Sequence, residues 1–249
     1  MSTVTGGQGN IVTNGLILNL DAANPRSYAP PFNGTTWQNL VAVSSSLTGS
    51  LVNGVGYTGS NGGSIVFDGV DDYVAILPTV IGSSFALQNF TIDVWIKPST
   101  LTGDKNLWSI DYTSHSPPYY SQHMRVQNNF IFVGANITGS YDNKTWMNTS
   151  ASNDQSVISF LNSDTIYNVT WVKNSNPNQH NLYINGIFIC SRLLSSGNIN
   201  YYSSPVRFGV ANYGGRYSGS YYSLKYYNRS LSASEVLQNF NATRARFGM

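Results

Sequence analysis

Residues 90 to 97 constrain the fold more than any other stretch. Phe90, Ile92, Val94 and Ile96 alternate with Thr91, Asp93, Trp95 and Lys97, and Pro98 ends the run. A period of two is the signature of a β-strand, with one apolar face turned to a core. The polar face also carries Trp95, so the reading predicts that this second face is partly covered. A second signal lies at Asn185-Gly186, between Tyr183-Ile184 and Ile187-Phe188. Asn-Gly between two apolar runs is a strong hairpin signal, because a type I′ turn needs two residues with positive φ.

Short runs of the same kind recur along the chain. They are expected at 15–20, 50–52, 64–67, 72–77, 106–111, 129–134, 155–160, 166–173, 182–190, 205–210 and 221–227. Trp37 to Val43 reads as an apolar patch in a loop. Residues 112–128, with Pro117-Pro118 and two histidines, and the polar stretch 135–156 read as long loops. One helix is expected at Ser232 to Phe240, since Ser232 and Glu235 have capping-box spacing. Leu231, Val236 and Phe240 would form its buried face. About a dozen short strands and one small C-terminal helix predict an all-β, two-sheet antiparallel jelly-roll sandwich in one domain, residues 15–249. Residues 1–14, polar and Gly-rich, are expected to form a flexible N-terminal arm.

Composition narrows the partners. Charged residues make up 10% of the 249, against about 25% in ordinary soluble proteins. The surface is therefore expected to be built from Asn, Ser, Thr, Gly and Tyr. Net charge is +2 with scattered basic residues, which argues against nucleic acid. No apolar run approaches the ~18 residues of a membrane span. Residues 1–14 lack the basic and apolar regions of a secretory signal, so synthesis in a cytoplasm is expected. Cys190 is the single cysteine; it lies in an apolar run and is read as a core residue. The several Asn-X-Ser/Thr triplets are read as by-products of composition.

The pieces Gly15 to Ala22, Phe67 to Val74 (Phe-Asp-Gly-Val-Asp-Asp-Tyr-Val), Phe90 to Lys97, Asn168 to Val172 with the Tyr183 to Gly186 turn, and Tyr227 to Ser232 occur in an order that resembles a known family. It is the laminin-G-like version of the concanavalin A-like lectin/glucanase superfamily, frequent in phage and other viral structural proteins. The resemblance spans about Gly15 to Phe247. It implies a concanavalin A-like sandwich whose first and last strands lie close together. It also implies a virion surface or structural protein, made in the host cytoplasm, with other virion proteins and copies of itself as partners and a cell-surface glycan as ligand. A bacterial carbohydrate-binding or adhesion module, extracellular or on the cell surface, is the alternative.

Chemistry is sparse. Glucanases of this fold, as the resemblance implies, use a Glu-x-Asp-x-Glu strand, and retaining hydrolysis needs two carboxylates ~5 Å apart. Glu235 is the only glutamate, and the capping box accounts for it. Asp93 has Thr91 and Trp95 at i−2 and i+2. No catalytic residue and no enzyme activity are expected. His115, His123 and His180 have no metal-ligand spacing and are read as loop residues. Asp68, Asp71 and Asp72 form the one acidic cluster. Turn chemistry is the preferred reading for it; a calcium site, completed by Asp104 or Asp111, is the other. Candidate ligand contacts are Tyr119, Tyr120, Tyr141, Trp146, Tyr213 and Tyr217, with Tyr221 and Tyr222 nearby. Three readings stay open for them: sugar stacking, a protein interface, or packing.

Overall fold

The computed structural model describes residues 10–41, 47–76, 85–111, 120–137, 147–148, 161–194, 197–201, 204–211 and 214–249. The elements in chain order are β1 (Leu16–Asp21), β2 (Thr36–Trp37), β3 (Gly49–Val52), β4 (Gly56–Thr58), β5 (Ser64–Asp68), β6 (Tyr73–Ile76), β7 (Phe90–Pro98) and β8 (Asp104–Asp111). There follow β9 (Tyr120–Gln127), β10 (Phe130–Ala135), β11 (Met147–Asn148), β12 (Tyr167–Ser175), β13 (Asn178–Ile184), β14 (Ile187–Leu193), β15 (Val206–Phe208), β16 (Ser218–Tyr227) and the helix α1 (Ala233–Arg244).

The strands form two antiparallel sheets. One runs β14-β13-β12-β7-β16-β5-β4, with β1 also paired to β16; the other runs β11-β10-β9-β8-β15-β6-β3-β2. This is the predicted two-sheet sandwich, and β1 and β16 pair as expected. Between the sheets lies one apolar core. Ile92, Val94 and Ile96 enter it from β7, Leu107, Trp108 and Ile110 from β8, and Leu224 and Tyr226 from β16. The hairpin at Asn185-Gly186 has φ values of 52° and 73°, the left-handed pair that an Asn-Gly turn supplies cheaply.

The outer face of the first sheet is covered too. Trp95 is fully buried, stacked on Phe240 at 5.6 Å and Phe247 at 4.3 Å between ring centroids. A second apolar group joins Val172, Tyr183 and Tyr227 to Leu231, Val236 and Val12. Helix α1 docks here through Val236 and Phe240, with Leu231 beside them, the three residues expected to form its buried face. Ser232 caps it, accepting from the Glu235 N–H, while Glu235 accepts from the Ser232 N–H. Residues 1–9 of the expected arm lie outside the described residues. Residues 10–14 are fastened rather than free. Val12 N–H donates to Asn239 Oδ1 at 2.8 Å, Tyr227 Oη–H to the Val12 carbonyl at 3.0 Å, and Gln238 to the Asn10 carbonyl at 2.7 Å.

Several loop expectations need correction. Residues 120–127, placed in a long loop, form the interior strand β9. Its inward positions are Gln122, Met124 and Val126, and the glutamine hides the alternation. Gln122 accepts from Trp108 Nε1 at 2.9 Å and donates to Tyr201 Oη at 2.7 Å and Tyr226 Oη at 3.0 Å, so its amide is satisfied in the core. Trp37 is a core residue in β2 rather than a loop residue. His123 and His180 are buried in β9 and β13, not in loops. Trp171 Nε1 donates to His180 Nδ1 at 3.0 Å. Residues 155–160 and His115 lie outside the described residues.

The bond that anchors the start of α1 has a pH signature. Arg229 donates to both carboxylate oxygens of Glu235, at 2.6 and 2.9 Å. That pair, with the Ser232 bonds, holds the Glu235 carboxyl down at about 2. A free glutamate titrates near ~4.3. The folded pKa is depressed, so the stabilisation is full above the unfolded pKa and is lost as pH falls from about 5 toward 2. Both side chains keep some exposure, so about 1–2 kcal/mol is expected. Denaturant melts of wild type and Glu235→Gln between pH 7 and pH 2.5 should converge as the pH falls. A gap that stays constant across that window would contradict this.

Candidate functional site

Of the candidate ligand contacts singled out in the sequence, Tyr120 and Tyr217 fall among the described residues. Tyr119, Tyr141, Trp146 and Tyr213 lie outside the described residues. Tyr120 opens β9, half-buried, with its ring 5.3 Å from that of His123. Tyr217 is a correction: it is fully buried, edge-on to Phe67 at 5.8 Å and Tyr221 at 5.1 Å. Tyr221 and Tyr222 are likewise core residues. Burial drives the Tyr217 and Tyr221 hydroxyls well above the ordinary phenol range. These three rings pack the sandwich and present no face to a ligand.

The two carboxylates weighed for catalysis are both committed elsewhere. Glu235 is held by Arg229 and the helix cap. Asp93, 0% exposed, is ion-paired with Lys225 at 3.2 Å and accepts from Thr170 at 3.0 Å and Asn168 at 3.3 Å. The cluster lies on the outer face of the first sheet, beneath the layer formed by residues 10–14 and α1. Burial also removes the other reactive groups. It pushes the Cys190 thiol up to about 11. It lowers His123 well below the imidazole range, and the Arg125 charge adds to this. Lys173, lowered to about 8 by burial, is wrapped by the Asn174 carbonyl and Asn178 Oδ1, at 2.5 and 2.6 Å.

A cleft of about 330 Å³ opens at one end of the sandwich. Its walls are Ser99 to Thr102, which link β7 to β8, Asn129 in the β9–β10 turn, and Leu161 to Ser163, which lead into β12. Leu101 and Leu161 are buried, and the other side chains offer hydroxyls and amides. Among the described residues its lining carries no charged side chain. The backbone of these segments is pinned across the cleft. Leu161 N–H donates to the Asn129 carbonyl at 2.9 Å, Asp164 N–H to Pro98 at 2.7 Å, and Ser99 N–H to Ser218 at 2.9 Å. Asn128 and Asn129 hold φ of 48° and 73°, which asparagine tolerates in a tight turn. Among the described residues the cleft is thus a neutral, mostly polar hydrogen-bonding surface over two buried leucines, open to a ligand rich in hydroxyls. Sequence reasoning missed it, because its polar residues come from three distant segments and share no motif.

Two further features frame this end and the adjoining face. On the outer side of the second sheet, Arg125 pairs with Asp104 at 2.9 Å and lies 5.2 Å over the Phe132 ring, and Arg207 lies 5.5 Å over the Tyr73 ring. The β5–β6 turn brings one carboxylate oxygen each from Asp68, Asp71 and Asp72 within 4.8 Å of one another. Burial raises the Asp72 carboxyl above its usual range, and the Asp68 and Asp71 charges add to that. Neither Asp104, paired to Arg125, nor Asp111, which accepts from Ser109 at 3.2 Å, joins this group.

Comparison with known proteins identifies the family. The model described as the concanavalin A-like lectin/glucanases superfamily matches residues 67–237, more than half of the chain. The chain belongs to that superfamily. The matched region of this superfamily member contains the acidic turn, Asp93 and the whole cleft. Its fold is similar to that of the binding domain of Paraclostridial Mosquitocidal Protein 1, with a TM-score of 0.65 and 17% identity over 92% of this chain and 52% of that one. It is similar to domain 4 of an extracellular arabinanase from Geobacillus stearothermophilus, in complex with arabinotriose, with a TM-score of 0.59 and 14% identity over 90% and 97% of the two chains. It is also similar to the receptor-binding domain of botulinum neurotoxin type G, with a TM-score of 0.58 and 15% identity over 92% and 51%. The chain spans about half the length of the two toxin chains. At these identities the likeness concerns the fold alone. No curated protein matches the chain.

Proposed function

We propose that this chain is a non-enzymatic, lectin-like module that binds a neutral glycan in the cleft between Ser99–Thr102, Asn129 and Leu161–Ser163. The observation that carries the reading is the cleft's lining: uncharged hydroxyls and amides, with the backbone already held in place. A preorganised site spends little of its binding energy on ordering loops. The positions of Glu235 and Asp93 support binding without hydrolysis, since each is engaged in a structural ion pair. Among the described residues no helix is long and apolar enough to cross a membrane.

The setting we propose is the surface of a virus particle, where the module contributes to assembly or decoration and to attachment. The low charge content and the Asn-, Ser- and Tyr-rich composition support it. Many copies in a symmetric particle would raise weak sugar contacts to useful avidity. Tyr119, Tyr120, Tyr141, Trp146 and Tyr213 remain proposed as contacts to glycan or to neighbouring proteins; Tyr217 is withdrawn from that set. A second reading, a bacterial carbohydrate-binding module, is favoured by the likeness to an arabinanase domain crystallised with arabinotriose.

A glycan array with the intact chain is expected to return specific neutral oligosaccharides. Thr102→Ala combined with Asn162→Ala should then weaken the best of them at least ~10-fold, about 1.4 kcal/mol. Both positions are exposed, so the fold should tolerate the change. Retained affinity in the double variant would reject the cleft. Mass spectrometry of purified particles separates the settings: presence of the chain supports the virion reading, and its absence supports the bacterial one.

A further inference from the structure

We propose that Lys225 and Asn168 are a cross-linking pair, joined in the folded chain by an amide between Lys225 Nζ and Asn168 Cγ, with Asp93 as the acid–base group. Three neighbouring strands bring these residues together. β7 lies between β12 and β16. Asp93 on β7 is in register with Lys225 on β16 and with Thr170 on β12. Asn168, two residues before Thr170, shares its face. One carboxylate then holds both of the nitrogens that the reaction exchanges. Lys225 Nζ lies 3.2 Å from Asp93 Oδ1, and Asn168 Nδ2 lies 3.3 Å from Asp93 Oδ2.

The surroundings suit acyl transfer. Asp93, Asn168, Thr170 and Lys225 are all buried. A closed pocket excludes the water that would compete for an acyl carbon. It also favours neutral partners over charged ones, so a proton can pass from Nζ to Asp93 along their bond. The amine left behind is a nucleophile. Asn168 is held in place as the electrophile. Its backbone N–H donates to Asn185 Oδ1 at 2.9 Å, and its Nδ2 also donates to the Val94 carbonyl at 3.3 Å. The Thr170 hydroxyl lies 3.0 Å from Asp93 Oδ2 and 3.4 Å from Asn168 Oδ1. It stands at the oxygen where negative charge would develop.

The step balances without a co-reactant. Asp93 takes one proton from the Lys225 ammonium. The Nζ lone pair attacks Asn168 Cγ, and the carbonyl electron pair moves onto Oδ1. Asp93 passes its proton to Nδ2 and takes the second one from Nζ. The oxyanion collapses, the Cγ–Nδ2 bond breaks and ammonia leaves. The new amide joins β12 to β16 across β7, and Asp93 ends protonated beside a neutral group. Nothing is oxidised or reduced. The ion pair in the structure is the reactant state, so freshly folded protein carries the pair and matured protein the amide. The bond would clamp the middle of the first sheet, where β16 also holds β1 and β5. The proposal stands independently of any glycan.

The test is intact-mass spectrometry of the full chain, taken on fresh protein and at intervals over days of incubation. A progressive loss of one ammonia is expected, and digestion of the matured protein should yield a peptide that joins Lys225 to Asn168. On a denaturing gel the matured chain should run faster, because the loop between the two residues stays closed. Lys225→Arg keeps a cation beside Asp93 and should keep its full mass, as should Asp93→Asn. Thr170→Val should slow the loss at least ~10-fold, as removal of an oxyanion donor does. A wild-type mass that never changes would overturn the proposal. So would an ammonia loss that maps to a succinimide at an Asn-Gly pair, or an equal loss in Lys225→Arg.

Discussion

Asp93→Ala is expected to lose about 3–5 kcal/mol of folding stability, the range for breaking a buried ion pair by removing one partner. The cost comes chiefly from what is left behind. Lys225, 3% exposed, would keep a buried ammonium without the carboxylate that pairs it. Thr170 and Asn168 would each lose an acceptor. Removing both charges together is a different matter. A buried pair replaced by apolar groups of like volume is often nearly neutral, so Asp93→Leu with Lys225→Met should recover most of the loss. Urea melts of the single and double variants decide this. A single variant as unstable as the double one, or one that costs under about 1 kcal/mol, would contradict the account.

Trp95→Ala is expected to cost a comparable ~3–5 kcal/mol, by cavity formation and lost contacts. The tryptophan is the platform on which Phe240 and Phe247 stack. Its removal should loosen the end of α1, so amide exchange along 233–247 should accelerate more than exchange in β8 or β9. Trp95→Phe is the control. Trp95 Nε1 is buried without an acceptor, so phenylalanine sacrifices no hydrogen bond, keeps a ring in the stack, leaves a smaller cavity and should cost clearly less than alanine. A large loss in Trp95→Phe, or uniform exchange changes across both sheets, would show that the ring does not anchor the helix.

Much of this layered arrangement was legible in the sequence, for identifiable reasons. The alternation at 90–97 showed both faces of β7, and Trp95 on the polar side announced a covering element. Asn185-Gly186 marked a hairpin because few other residue pairs accept two positive φ values. Ser232 and Glu235 marked the helix start because their bonds are local. What was hidden was non-local. Gln122 disguised β9, since a core glutamine is acceptable only when Trp108, Tyr201 and Tyr226 all reach it. Tyr217 looked like a loop aromatic because nothing in its neighbours tells whether a strand-end ring turns inward. The cleft was invisible for the same reason. Ser, Thr and Asn become a site only when the topology gathers residues 99–102, 129 and 161–163.

An amide-resolved NMR titration tests the central claim most directly, using the neutral oligosaccharide that binds best. The account predicts saturable shifts concentrated at residues 99–102, 128–129 and 161–164, with no chemical change in the sugar over days. Shifts centred on the Arg125, Phe132 and Arg207 face of the second sheet, or cleavage of the oligosaccharide, would contradict it.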